Sequence, residues 1–343
     1  MAGFDPNAAS GKDSGIFGLL GGERDAGVVV IAVPFDATTS YRAGTHKGPA
    51  AIFEASKQVD LFDLETGKPY EAGIFMRPIS EQVLAWNSEA RAHAEIVIEE
   101  GGVVAGDKRL EDAASACNAL CTRMNDWVYA QTREVLAAGK LVSIVGGDHS
   151  VPFGAIKAIA EAYPGVSVLH LDAHADLRAA YEGFDWSHAS IMYNVMEKIP
   201  GVSRLVQVGI RDFGEQEYEY IQKNEKRIRT YFDARLKQNT YDGETWRAQC
   251  ERIVAELGND VYLSFDIDGL NPKLCPNTGT PVPGGLEFTE VTALLTAIHR
   301  AGKRIVGLDL NEVAPAVSGE DEWDANVGAR LLYKMIGFAL LKA

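Results

Sequence analysis

Long apolar runs are missing from this 343-residue chain; no stretch approaches the roughly 20 residues that a membrane-spanning helix needs. Residues 1–20 lack a basic segment followed by an apolar one, so they do not read as a secretory signal. Cysteine is scarce, limited to Cys117, Cys121, Cys250 and Cys275. Cys117 and Cys121 sit four apart in a helical pattern, which suits neither a disulfide nor a tetrahedral zinc site. Reduced, mostly buried thiols and a cytoplasmic protein are the expectation. Positive charge is short as well. With 33 Lys and Arg against 48 Asp and Glu, the net charge is −15. That balance argues against nucleic acid or an anionic membrane as the main partner and favours a small cation. No internal repeat or low-complexity linker interrupts the chain, so a single domain over 26–343 is expected, after a polar, Gly-rich and loosely ordered arm over 1–25.

What the chain does have is alternation. Apolar strands are predicted at 28–33, 141–145, 166–171, 204–208, 227–231, 261–265 and 304–309. Helices are predicted at 48–56, 81–99, 111–138, 152–162, 186–198, 215–223, 243–257, 288–301 and 323–341. Such alternation implies right-handed crossovers and a largely parallel sheet between helical layers.

Four of these strands run into acids and histidines: Gly146-Gly147-Asp148-His149-Ser150, Asp172-Ala173-His174-Ala175-Asp176, Asp266-Ile267-Asp268 and Asp309-Leu310-Asn311-Glu312. Ligands of open α/β sheets bind beyond the carboxyl ends of strands, so these groups converge. In an extended backbone every second residue points the same way, which aligns Asp172 with His174 and Asp176, and Asp266 with Asp268. With His149 this makes four carboxylates and two imidazoles. The oxygen-rich set suits Mn²⁺ or a related divalent transition metal and lacks the thiolates of structural zinc. Asp172 and Asp266 are natural bridges between two ions. Asp148 is expected to orient neighbours, and His170 to be a hydrogen-bonded core residue.

Gly146-Gly147-Asp148-His149-Ser150, Asp172-Ala173-His174-Ala175-Asp176, Ser264-Phe265-Asp266-Ile267-Asp268 and Gly279-Thr280-Pro281 resemble the signatures of the ureohydrolase (arginase/agmatinase) family, a match that runs from about residue 28 to the C-terminus. The resemblance implies an α/β fold, a three-layer α/β/α sandwich around a mostly parallel eight-stranded sheet. It also implies two Mn²⁺ per subunit, a trimer or hexamer, and hydrolysis of a guanidino compound to urea and an amine by a metal-bridging hydroxide. One ion would be held by His149, Asp172, Asp176 and Asp266, and the other by His174, Asp172, Asp266 and Asp268. Asp176 would carry a proton to the leaving amine, Glu312 would bind the guanidinium, and His188 would shuttle protons or contact substrate. Asn271 stands where relatives carry Asp, outside the ligand set.

Leu177-Arg178-Ala179-Ala180-Tyr181-Glu182-Gly183 followed by Ser187-His188-Ala189 is similar to agmatinases and lacks the Asn/Ser loop with which arginases hold an amino acid. Agmatine, cleaved to putrescine and urea in polyamine biosynthesis, is therefore the expected substrate. Arginase, guanidinobutyrase, guanidine hydrolase and formiminoglutamase activity are the alternatives within the chemistry. A mononuclear deacetylase-type hydrolase and a non-catalytic metal-binding regulator are the alternatives outside it.

Overall fold

Val28, Val30 and Ala32 pack into one apolar cluster, while Val29, Ile31 and Val33 pack into another. This is the period-two mark of a strand covered on both faces. The computed structural model describes residues 5–319 and 321–342. Among them eight strands form one sheet: β1 (Val28–Val33), β2 (Ile74–Met76), β3 (Leu141–Gly146), β4 (Val166–Leu171), β5 (Val202–Ile210), β6 (Ile228–Phe232), β7 (Asp260–Asp266) and β8 (Arg304–Asn311). Every pairing is parallel, in the order β2-β1-β3-β8-β7-β4-β5-β6.

Ten helices link them: α1 (Gly48–Ser56), α2 (Glu81–Ile98), α3 (Lys108–Ala137), α4 (Phe153–Ala162), α5 (Ile191–Lys198), α6 (Glu215–Lys223), α7 (Asp233–Tyr241), α8 (Trp246–Ala255), α9 (Phe288–Arg300) and α10 (Trp323–Leu340). Buried residues of α2, α3, α4 and α5 cover one sheet face, and those of α1, α8, α9 and α10 cover the other. The architecture is thus the expected three-layer α/β/α sandwich. Side-chain caps start α2 where the sequence places it and α3 three residues earlier. Ser80 accepts the Val83 N–H at the start of α2, and Asp107 accepts those of Arg109 and Leu110 at the start of α3.

Four local features differ from the sequence reading. The eighth strand is β2, a three-residue edge strand with too few residues to show alternation. Helix α7 follows β6 directly and buries only Asp233 and Leu236, so it carries no apolar period. Between β4 and β5, His188–Ser190 forms a 3₁₀ turn capped by Ser187, and α5 starts only at Ile191. Before β1, Ile16, Phe17 and Leu19 are buried in the core, with the Phe17 ring 4.9 Å from that of Tyr333. Residues 1–4 lie outside the described residues.

The order of strands decides where chemistry can occur. The four strands that end in acids and histidines are β3, β8, β7 and β4, which are contiguous at the centre of the sheet. Their carboxyl ends open into one crevice.

Candidate metal centre

His149 follows β3 in a turn that only glycine permits. A Cβ on Gly147 would lie 2.1 Å from the Phe35 carbonyl oxygen. The turn directs the buried His149 ring so that Nδ1 lies 3.0 Å from Asp172 Oδ2, 3.3 Å from Asp266 Oδ2 and 3.7 Å from Asp176 Oδ2. Across the site, His174 Nδ1 lies 3.0 Å from Asp268 Oδ2 and 3.5 Å from Asp172 Oδ1. All six predicted ligand residues therefore meet, with Asp172 facing both imidazoles. The loop after β7 approaches that after β4 at Gly269, where a Cβ would lie 2.8 Å from the Asp172 backbone nitrogen.

Backbone N–H groups fix three of the four carboxylates. His174 N–H donates to Asp172 Oδ1 (2.6 Å), Ala173 N–H to Asp268 Oδ1 (3.0 Å) and Asp268 N–H to Asp266 Oδ1 (2.8 Å). Asp176 differs. No described hydrogen bond reaches its carboxylate, while its carbonyl accepts the N–H groups of Met192 and Tyr193 (both 3.1 Å) at the start of α5. Asp176 and Glu312 both adopt left-handed backbone, at φ 54° and 62°. This conformation costs about 1–3 kcal/mol in a non-glycine residue and is common at functional sites.

Glu312, beyond β8, is buried and accepts the His149 backbone N–H at Oε1 (3.1 Å). The His188 ring lies 6.4 Å from that of Tyr181, and among the described residues its buried Nδ1 has no hydrogen-bond partner. It donates to none of the six ligand-type side chains. Asp148 points away from them, taking Ser150 N–H (2.9 Å) and Oγ–H (2.5 Å), as a group that shapes the turn would. Arg178 is already engaged, 3.5 Å from Glu217 and over the Tyr181 ring. Asn271 caps its own loop by accepting the Lys273 N–H (3.1 Å).

One tier deeper stand polar residues to which the sequence reading gave no role. His149 Nε2–H meets Ser264 Oγ (2.9 Å), whose hydroxyl donates to Asp309 Oδ1 (3.0 Å). This keeps a proton on Nε2 and makes Nδ1 the nitrogen that faces the carboxylates, where a metal ion can take the place of its proton. Arg211 was also missed. Its guanidinium donates to the carbonyls of Gly209 (3.1 Å), Asp268 (2.6 Å), Leu270 (3.1 Å) and Val282 (3.0 Å), tying three loops together. The available signal was an Arg just past a strand end, a weak one.

The electrostatics of the site favour a cation. Burial, reinforced by Asp172, pushes the Asp176 carboxyl well above the ordinary range; burial and Asp268 do the same to Asp266, and burial and Asp266 to Glu312. Asp172 goes the other way: although burial opposes it, His170 and His149 hold it well below. Burial works against the charged form of His149, but Asp172 raises it to about 9; burial and the nearby His174 lower His188 to about 4. Buried carboxylates that repel one another, beside an imidazole nitrogen whose proton a cation can displace, fit a divalent metal pair.

A pH dependence follows for the metal-free protein. A His149 raised to about 9 contributes stability that is complete below its unfolded value near 6.5 and lost as pH rises through 9. Metal binding needs deprotonated ligands and so strengthens with pH. We expect the metal-free melting temperature to fall by about 3–6 °C from pH 6.5 to 9, and the rise on adding Mn²⁺ to be larger at pH 9. Equal rises at the two pH values in thermal melts would contradict this.

The arginase family model matches residues 26–337. The N(1)-aminopropylagmatine ureohydrolase of Thermus thermophilus is 34% identical over 332 residues, covering 95% of this chain and 96% of that protein. The agmatinase of Cronobacter sakazakii is 32% identical over 302 residues, covering 87% of this chain and 83% of the relative. Among solved structures, the agmatine ureohydrolase of Thermoplasma volcanium superposes with a TM-score of 0.70 at 24% identity, covering 93% of this chain and 92% of that one. That last likeness is one of fold.

Proposed function

Because the chain belongs to the arginase family, as a ureohydrolase acting on guanidino compounds, we propose that it hydrolyses agmatine to putrescine and urea at a binuclear manganese centre. The observation that carries this reading is the convergence of His149 Nδ1 with Asp172, Asp176 and Asp266 within 3.0–3.7 Å, beside a buried Glu312.

His149, Asp172, Asp176 and Asp266 would hold one ion, and His174, Asp172, Asp266 and Asp268 the other. The ligand-type atoms of His149, Asp172 and Asp176 lie within 4.8 Å of one another, as do those of Asp172, His174 and Asp268. The carboxylate-rich set favours Mn²⁺ over the softer metals. When bound, the ion pair lowers the pKa of water and so supplies a nucleophile at neutral pH.

The remaining work falls to the protein's side chains. Glu312 receives the guanidinium as a charge-assisted, bidentate partner and holds its carbon toward the ligands. Asp176, whose carboxylate no N–H ties down, carries a proton to the departing amine. His188, kept neutral by burial, offers a ring nitrogen for proton exchange or for substrate.

An amine at the substrate's far end is supported by the acidic net charge and by Arg178, whose engagement with Glu217 and Tyr181 leaves it poorly placed to take a carboxylate. N(1)-aminopropylagmatine is the second reading, favoured by the 34% identity to the Thermus enzyme. We further infer one catalytic domain over 26–343 and a homo-oligomer, trimeric or hexameric, on the strength of the family resemblance. Cytoplasmic residence is supported by four buried, unpaired cysteines. No described helix is long and apolar enough to cross a membrane.

The test is kcat/KM for urea release by Mn²⁺-loaded protein on agmatine, N(1)-aminopropylagmatine, arginine, 4-guanidinobutyrate, guanidine and formiminoglutamate. One of the first two should lead by at least about 100-fold, roughly the 2.7 kcal/mol that separates a paired from a mispaired charged end. A lead by arginine or 4-guanidinobutyrate would overturn the amine-end assignment.

A further inference from the structure

We propose that His170, Gln207 and Thr230 form a one-way hydrogen-bond relay that fixes the Asp172 carboxylate, making His170 a positioning residue for metal loading and not a ligand. The proposal rests on the reading of Asp172 as a metal ligand given above.

The relay follows from the register of the sheet. His170 on β4 is the register partner of Gln207 on β5, and Gln207 that of Thr230 on β6. On the other side His170 is paired with Ser264 on β7, and Ser264 with Asp309 on β8. One row of polar side chains thus crosses five strands. Asp172, Asp266 and Asn311 stand two residues further along β4, β7 and β8, on the same side by the period of two. The polar row is the floor on which the carboxylates stand.

Within this row His170 faces an ambiguity. Its Nε2 is 2.8 Å from Asp172 Oδ2, and its ring lies 5.1 Å from that of His149, close enough to offer a ligand nitrogen to the same ion. Gln207 decides the matter. The Gln207 amide nitrogen lies 2.7 Å from the Ala175 carbonyl oxygen, so it must be the N–H₂ end, since the opposite flip would set two oxygens against each other. The same nitrogen lies 3.1 Å from His170 Nδ1, which must therefore accept. Gln207 Oε1 in turn takes the Thr230 hydroxyl proton at 2.9 Å. With Nδ1 accepting, the neutral imidazole carries its proton on Nε2, and that N–H donates to Asp172. A nitrogen bearing a proton has no lone pair for a metal.

His170 and Gln207 are fully buried, so the chain of donors cannot be replaced by water without cost. It holds Asp172 Oδ2 in one orientation from below while the His174 N–H holds Oδ1 from the side. The carboxylate that faces both imidazoles is thereby aimed before any cation arrives.

The experiment measures Mn²⁺ affinity of metal-stripped protein by competition with a metal buffer, together with the melting temperature of the metal-free form. His170→Phe keeps a ring but removes the donor, and is expected to weaken Mn²⁺ binding roughly 10–100-fold, as loss of a partner behind a metal ligand does. His170→Gln keeps an N–H of similar reach and should restore affinity to within about 3-fold of wild type. Gln207→Met removes the polar lock and leaves the imidazole in place, so an intermediate loss is expected. In metal-free protein labelled with ¹⁵N-histidine, His170 should show an unprotonated Nδ1, and Gln207→Met should mix the two tautomers. A merely structural glutamine would not move that signal. Wild-type affinity in His170→Phe, with affinity lost in Asp172→Asn, would overturn the relay alone. Wild-type affinity in Asp172→Asn would overturn the ligand assignment and the relay with it. If His170→Phe does not fold, wild-type affinity and an unchanged His170 tautomer in Gln207→Met overturn the relay.

Discussion

Asp266→Ala is expected to strip manganese from both positions at once and to lower urea release by at least roughly 10³-fold, the several kcal/mol that metal ions contribute to such reactions. Its carboxylate lies 3.3 Å from His149 Nδ1 through Oδ2, while Oδ1 takes the Asp268 N–H, so it touches the surroundings of both proposed ions. The Cβ-only replacement removes the shared donor and also frees the Asp268 backbone. His149→Ala provides the contrast. It faces one group of carboxylates only, and should cost one ion selectively. Metal content per chain after gel filtration separates these outcomes. Equal content in Asp266→Ala and wild type would sink the bridging role. The metal-free melting temperature should move the other way in Asp266→Ala, because burial and Asp268 hold the Asp266 carboxyl well above its ordinary range and its removal relieves that repulsion.

Glu312→Gln is expected to cost roughly 10²–10³-fold in kcat/KM, about 3–4 kcal/mol, in the range that follows when one partner of a buried ion pair is removed. The amide keeps the shape and can still accept the His149 N–H seen at 3.1 Å, so the ions should remain. Two manganese per chain with greatly reduced urea release is thus the signature of a substrate anchor. Loss of metal in Glu312→Gln would instead make Glu312 a support of the His149 turn. Stability gives an independent reading. Burial and then the charge of Asp266 raise the Glu312 carboxyl in the folded state, so at neutral pH the metal-free variant should melt no lower than wild type.

How much of this was legible in the sequence depends on what each residue had beside it. Asp172, His174 and Asp176 declared themselves because ligand-type residues recur at every second position after an apolar strand. His170 did not. One imidazole inside Val168-Leu169-His170-Leu171 reads as a satisfied core residue, and it is one, but the group that satisfies it is Asp172. Ser264 and Gln207 are hidden in the same way. The signal that would have found them is a polar residue two positions before a ligand or a strand-end glycine: His170 before Asp172, Ser264 before Asp266, Gln207 before Gly209. Register across strands turns these isolated residues into a row, and register is not written in one strand.

The fold divides along similar lines. Six of the seven predicted strands lie wholly within observed ones because continuous apolar runs bounded by turns mark buried parallel strands. Strand β2 and helix α7 escaped because Ile74–Met76 is too short for a period and α7 has too few buried residues to form a stripe. Ile16 and Phe17 escaped because their apolar turn is surrounded by Gly, Asp and Ser.

The central claim is that two ions held on the ends of β3, β4 and β7 are needed to release urea. The most direct measurement is the initial rate of urea release, from the best guanidino substrate of the panel, as Mn²⁺ is added stepwise to metal-stripped protein. The rate should stay low through the first equivalent per chain, climb through the second and level off at two. Full activity at one equivalent, or without added metal, would contradict the account.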